Sequence, residues 1–208
     1  MTDVGVGRSM ASGKLEFWYE FASTYSYLSA MRIEALAAAA GVAVEWKPFL
    51  LGPIFKAQGW NTSPFNLYPA KGRYMVRDLE RLAAGRGLRF ALPTVFPQNS
   101  LLAARLALVG DDEGWIAPFT RAVYVAEFAT GADISDPHLL RSILDGLGLD
   151  SERLFSRLAQ PDIKARLKQQ TADAQARGIF GAPSFVTRGE LFWGDDRLEA
   201  ALAWAVRV

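Results

Sequence analysis

The chain has 208 residues, half of them hydrophobic, with 23 lysines and arginines against 22 aspartates and glutamates and a formal net charge of +1. This is globular composition, and a chain of this length buries about 70% of its unfolded surface without needing a covalent staple. Near-neutral charge argues against a nucleic-acid binder, and the absence of cysteine removes disulfides, thiolate metal sites, a cysteine nucleophile and CxxC redox chemistry.

Residues 1–13 are rich in glycine and serine and lack the apolar stretch of a signal peptide, so they read as a loose tail. The longest apolar run, 35–44, is too short to span a bilayer, and a soluble cytoplasmic protein is expected. Residues 15–21 (LEFWYEF) predict a buried strand. Ser23 and Thr24 offer capping chemistry for an Ala/Leu-rich helix over 25–40, which Gly41 stops. A second strand runs over 42–46 and ends at Pro48. Strand, helix, strand makes a βαβ unit with a parallel pair.

From 51 to 177 the pattern becomes helical. Pro53, Gly59, Pro64 and Pro69 punctuate an irregular stretch. Helices are predicted over 71–85, 101–110, 115–130, 137–147, 151–159 and 161–177. Two short strands, 184–187 and 191–193, flank the turn Arg188-Gly189-Glu190, and a helix over 195–205 closes the chain. The order βαβ, helices, ββα predicts an α/β thioredoxin fold, 14–50 with 178–208, holding an all-helical insertion over 51–177.

One histidine is present, His138. Its setting, Ser135-Asp136-Pro137-His138, reads as a helix start, which gives it a surface or capping role. A histidine-rich metal site is excluded by number.

Three motifs carry chemistry. Where the first strand meets the first helix, Ser23 and Ser26 stand at CxxC spacing. Unpaired N–H groups at a helix start stabilise an anion. A hydroxyl there serves as an N-cap, and it can also donate a hydrogen bond to a thiolate brought by another molecule. Second, Gly181-Ala182-Pro183-Ser184 leads into a strand, and an X-Pro bond at such a step can be cis, exposing the Ala182 backbone to an extended ligand; the alternative is an ordinary trans proline at a strand start. Third, Trp193-Gly194-Asp195-Asp196-Arg197 opens the last helix, where an aspartate can cap it or hold a ligand's charged groups. Lys71, ahead of a helix where the dipole disfavours a cation, suggests an anionic ligand.

The chain resembles the 2-hydroxychromene-2-carboxylate isomerase family, close kin of kappa-class glutathione transferases in the DsbA-like branch of the thioredoxin fold. The resemblance spans about residues 15–205 and rests on five segments in order: FASTYSYL from Phe21, KGRYM from Lys71, Val95-Phe96-Pro97, Phe180-Gly181-Ala182-Pro183, and WGDDRL from Trp193. It implies glutathione as cofactor. Ser23 matches the serine that hydrogen-bonds the glutathione sulfur; Ala182 and Pro183 match the cysteinyl-docking step; Gly194, Asp195 and Asp196 match the γ-glutamyl segment; Asn61 and Lys71 match positions near the glycyl end. Lys56, Asn66 and Trp193 fall on the side of an aromatic substrate. Two departures stand out: Thr24 replaces the usual proline, and Asp195 stands where asparagine is common. The implied activity is cis–trans isomerisation by thiolate addition and elimination in aromatic catabolism, with a homodimer as the implied assembly. The alternatives are a kappa-class-like glutathione transferase and a non-catalytic thioredoxin-fold binding protein.

Overall fold

The computed structural model describes residues 13–60 and 67–207. Residues 1–12 of the expected loose tail, Asn61 and Asn66 therefore lie outside the described residues, while Gly13, also read as tail, opens the first strand.

The first strand, β1 (Gly13–Tyr19), pairs in parallel with β2 (Val42–Pro48). It pairs antiparallel with β3 (Ser184–Thr187), which pairs antiparallel with β4 (Glu190–Trp193), giving the order β2-β1-β3-β4. Pro48 is accommodated because β2 lies at the sheet edge, where no partner needs its missing N–H. Alternation divides β1 between two cores. Leu15, Phe17 and Tyr19 face the main core, while Trp18 joins a smaller cluster with Phe49, Ile54, Ala174 and Ile179. Phe17 is the centre of the sheet: it stacks on Phe185 at 5.5 Å and meets Trp46 edge-on at 5.2 Å, each from its registered neighbour strand.

The predicted helix over 25–40 is two helices, α1 (Thr24–Ala30) and α2 (Ile33–Ala40), and Gly41 ends the second as expected. The break falls at Arg32, whose guanidinium reaches across to the backbone carbonyl of Asp195 at 2.7 Å. The stretch read as irregular contains α3 (Leu51–Ala57), where Pro53 falls in the first turn and costs no intrahelical bond. The next helix, α4 (Pro69–Gly85), begins two residues earlier than predicted because Pro69 occupies its first position. It is followed by α5 (Leu101–Glu113), α6 (Ile116–Thr130), α7 (Pro137–Gly146), α8 (Ser151–Leu158) and α9 (Pro161–Ala176). His138 sits at the start of α7, where its backbone N–H donates to the capping carboxylate of Asp136 at 2.9 Å. The last predicted helix resolves into a 3₁₀ turn (Asp195–Arg197) and α10 (Leu198–Ala205).

Helices α2 and α10 pack on each other and on the sheet, while α1 packs on α4 and α6. Buried tyrosines pin the inserted helices to the end of β1. Tyr19 and Thr120 share a 2.8 Å hydrogen bond, and Tyr124 donates to the Glu20 carbonyl at 2.8 Å. These bonds fix the turn between β1 and α1, where the chemistry was expected. Among the described residues no helix is long and apolar enough to cross a membrane.

Candidate functional site

The turn after β1 is built by its own polar groups. The Ser23 N–H donates to the Glu20 carbonyl at 3.0 Å, closing the turn. Ser23 then takes an extended backbone conformation and N-caps α1, its Oγ accepting from the Ser26 N–H at 3.3 Å. The same hydroxyl donates to the carbonyl of Ala182 at 3.0 Å. The Ala182–Pro183 bond is cis, as the Gly-Ala-Pro-Ser step allowed, and so is Phe96–Pro97. One hydroxyl thus bridges the two motifs that flank the sheet. Ser26, in the first turn of α1, is fully buried.

Ser23 and Ala182 open onto a cleft of about 1700 Å³. Pro183, Gly194, Asp196, Trp193, Lys56 and Lys71 all line it, so the structure brings together every predicted site residue it describes. Lys71 is not ahead of a helix but inside the first turn of α4, exposed toward the cleft. Two aromatic pairs line the wall: Phe180 against Trp193 at 4.8 Å, and Phe55 against Trp60 at 5.5 Å.

The two aspartates play different parts. Asp195 is 3% exposed and its carboxylate is saturated from within. Arg86 meets it bidentately at 2.6 and 3.1 Å, Ser29 donates at 2.9 Å, and Arg32 lies 3.3 Å away. This corrects the reading of an aspartate as the cap of the last helix, since neither aspartate side chain caps the 3₁₀ turn or α10, and it commits the Asp195 carboxylate to the arginines while the residue still lines the cleft. Asp196 remains exposed at the cleft, paired with Arg197 at 3.1 Å. Gly194 permits this division, because its φ of +111° is left to glycine and a Cβ there would stand 2.6 Å from Asp196 Oδ1. Its N–H donates to the Pro183 carbonyl at 3.0 Å, locking the last motif to the cis-proline step.

Sequence reasoning passed over Glu20. It is buried at the cleft floor, and its carboxylate accepts from Ser100 Oγ, from the Leu51 N–H at 2.9 Å and from the Ala22 N–H at 3.4 Å. Burial pushes its pKa above the ordinary glutamate value, against the pull of those donors. The signal was present: one of the two glutamates in the aromatic stretch LEFWYEF, and the one nearer the helix-capping serine. Phe55 and Trp60 were passed over as well, and Phe180 was read only as part of the cis-proline segment, since an aromatic side chain carries no mark in the sequence of the cavity it will line.

The DSBA-like thioredoxin domain profile matches residues 14–203. A 2-hydroxychromene-2-carboxylate isomerase of Sphingobium xenophagum is 30% identical over 187 residues, covering 89% of this chain and 94% of its own. The human glutathione S-transferase kappa 1 is 26% identical over 199 residues, covering 89% and 87%. Among solved structures, a 2-hydroxychromene-2-carboxylate isomerase superposes with a TM-score of 0.83 at 25% identity, covering 92% of this chain and 95% of its own.

Proposed function

The chain belongs to the DSBA-like thioredoxin domain family, alongside 2-hydroxychromene-2-carboxylate isomerases, and from that premise we propose that it is a glutathione-dependent isomerase of that type. The observation that carries the reading is the Ser23 hydroxyl, placed between the helix start and the Ala182 carbonyl in a chain with no cysteine of its own. A site so built needs a thiol from outside.

The donor set fits glutathione. The Ala182 carbonyl accepts an N–H from the cysteinyl part of an extended peptide. When such an N–H arrives, the Ser23 hydroxyl is released from Ala182 and turns its proton to the sulfur. A hydrogen bond donated to the charged form lowers the thiol pKa. Asp196 offers a carboxylate to the ammonium end, and Lys71 offers a cation to the glycyl carboxylate. Bound there, glutathione supplies a thiolate that adds to a conjugated double bond and leaves again, letting the intervening bond rotate. The aromatic pairs Phe180–Trp193 and Phe55–Trp60 hold a planar substrate between them, with Lys56 beside its carboxylate. We further propose a homodimer, which light scattering at micromolar concentration tests; a monomer there counts against it.

A second reading, a kappa-class-like glutathione transferase in which the thioether leaves as product, is favoured by the kappa-class relatives. A spectrophotometric screen of hydroxychromene carboxylates and of electrophilic thiol acceptors, with and without glutathione, separates the two. A thermal shift with glutathione but no turnover of either set would support the remaining alternative, a binding protein.

A further inference from the structure

The proposed substrate class poses a proton problem that Ser23 does not solve. In a 2-hydroxychromene-2-carboxylate, one carbon carries both a hydroxyl and the ring oxygen. Opening that ring breaks the carbon–ring-oxygen bond and makes a ketone. The hydroxyl must lose a proton and the aryl oxygen must gain one. A group that takes a proton at one oxygen and returns it at the other speeds this step, provided its affinity for protons lies near the working pH.

The cleft floor holds such a pair. Glu20 and Ser100 are each 6% exposed, both line the cleft, and Ser100 Oγ donates to Glu20 Oε1. Glu20 lies three residues before Ser23 in the same turn, tied to it through the Ser23 N–H on the Glu20 carbonyl. Neither the Glu20 carboxylate nor the Ser100 hydroxyl has a part in the glutathione site described above. We propose that Ser100 and Glu20 form a proton relay for ring opening, Ser100 touching the substrate oxygens and Glu20 positioned behind it to store the proton.

The step balances. Ser100 Oγ takes the proton of the substrate hydroxyl while passing its own to the Glu20 carboxylate. The electron pair left on the substrate oxygen forms the ketone, and the carbon–ring-oxygen bond breaks toward the aryl oxygen. The relay then runs backward and gives the proton to that oxygen, restoring the Glu20 carboxylate. The surroundings suit a carboxyl that changes charge with little rearrangement. Burial raises its proton affinity, while the Leu51 and Ala22 amides keep the anion within reach. From α3 and α5 its contacts are the Leu51 amide and the Ser100 hydroxyl. From α6 it is faced by Tyr124 and by Glu127, whose own carboxyl burial holds toward the neutral form. None of these named groups is a cation.

This inference rests on the isomerase reading, and the test separates the two. Glu20→Gln keeps the shape and can still accept from the Leu51 N–H; Ser100→Ala removes the relay from the other end. The expected result is a fall in kcat of about 100-fold in each variant, with KM for glutathione unchanged. The absorbance titration of the bound thiolate should stay as in the wild type, and the acidic limb of kcat that Glu20 governs should vanish in Glu20→Gln. A readout independent of turnover is the side-chain carboxyl resonance of ¹³C-labelled glutamate, assigned to Glu20 by its loss in Glu20→Gln. It should titrate above the ordinary glutamate range in the wild type and in Ser100→Ala. A wild type active on the cyclic substrate, with variants of unchanged kcat and pH profile, or a Glu20 resonance at the ordinary carboxylate position, overturns the relay alone. A wild type inactive on the cyclic substrate overturns the isomerase reading and the relay's reaction with it.

Discussion

The hydroxyl of Ser23 and the carbonyl of Ala182 meet at 3.0 Å although 159 residues separate them along the chain. The sheet makes this possible. Pairing of β1 with β3 sets the residues after Tyr19 beside those before Ser184, so a serine following one strand and a proline step preceding the other share one end of the fold. The inserted helices then roof that end rather than interrupt it.

Replacing Ser23 with alanine should leave the fold standing. The Ser26 N–H loses its acceptor, which costs about 1 kcal/mol. The effect on bound thiol should be larger. A hydrogen bond to a charged group contributes about 1.5–3 kcal/mol, so the thiol pKa should rise by about one to two units. Thiolate absorbance against pH for bound glutathione measures this. An overlay of variant and wild type would reduce Ser23 to a cap.

Much of this arrangement was legible in the sequence because the strands and the cap obey local rules. LEFWYEF has the aromatic density of a doubly covered strand, and Ser23 with Gly41 bracketed the first helical region correctly. The interruption at Arg32 was not legible. It depends on Asp195, 163 residues away, and the alanines and leucines around it would all continue a helix. Helix α3 was hidden by Gly52 and Pro53, which read as loop residues until their place in a first turn is known. Asp195 and Asp196 are adjacent and chemically identical. Only the two arginines converging on Asp195 decide that its carboxylate is buried and engaged while that of its neighbour stays exposed at the cleft.

Gly181 is held small by Trp193. An ideal Cβ at Gly181 would stand 2.4 Å from the indole Nε1. Trp193 is 52% exposed, so in Gly181→Ala the indole swings outward and the protein stays folded. The contact with Phe180 is lost, and with it the geometry of that wall. An aromatic pair contributes about 0.5–1.5 kcal/mol, so affinity for a planar aromatic acid should fall by up to about tenfold. Titration calorimetry measures it, and unchanged affinity would remove Trp193 from the substrate wall.

Glu127 gives the protein a stability that declines with pH. It is fully buried in α6, and neither carboxyl oxygen has a hydrogen-bond partner among the described residues. Burial, then the nearby charges of Glu20 and Asp133, push its pKa well above the ordinary 4.5. Above that ordinary value the unfolded chain has released this proton while the folded chain retains it. Stability therefore falls as pH rises from 4.5 toward the folded-state value. Glu127→Gln should flatten the slope of urea midpoints over this window, leaving the smaller slope of the same sign that Glu20 contributes. A slope equal to that of the wild type would mean Glu127 does not hold its proton.

The last contrast is between the adjacent aspartates. Asp195→Ala takes from Arg86 its bidentate carboxylate and removes the acceptor of Ser29, while Arg32 keeps Glu199 and the Asp195 backbone carbonyl. Removing one partner of a fully buried ion pair costs about 3–5 kcal/mol, and here the cost should lie at or below the low end, because Arg86 is about a quarter exposed and water offsets part of its lost partner. Asp196→Ala removes an exposed carboxylate whose one ion pair, with Arg197, is solvated on both sides, so it should change stability by no more than about 0.5 kcal/mol. Ligand response should be ordered the other way. Asp196→Ala should lose much of the rise in melting temperature produced by glutathione while keeping the unliganded melting temperature. Asp195→Ala should start from a lower melting temperature and, where still folded, retain the rise. Urea unfolding and thermal melts with and without glutathione test both halves. Equal glutathione shifts in Asp196→Ala and the wild type would detach Asp196 from the ligand and leave the ammonium end to be held by backbone groups around Gly194.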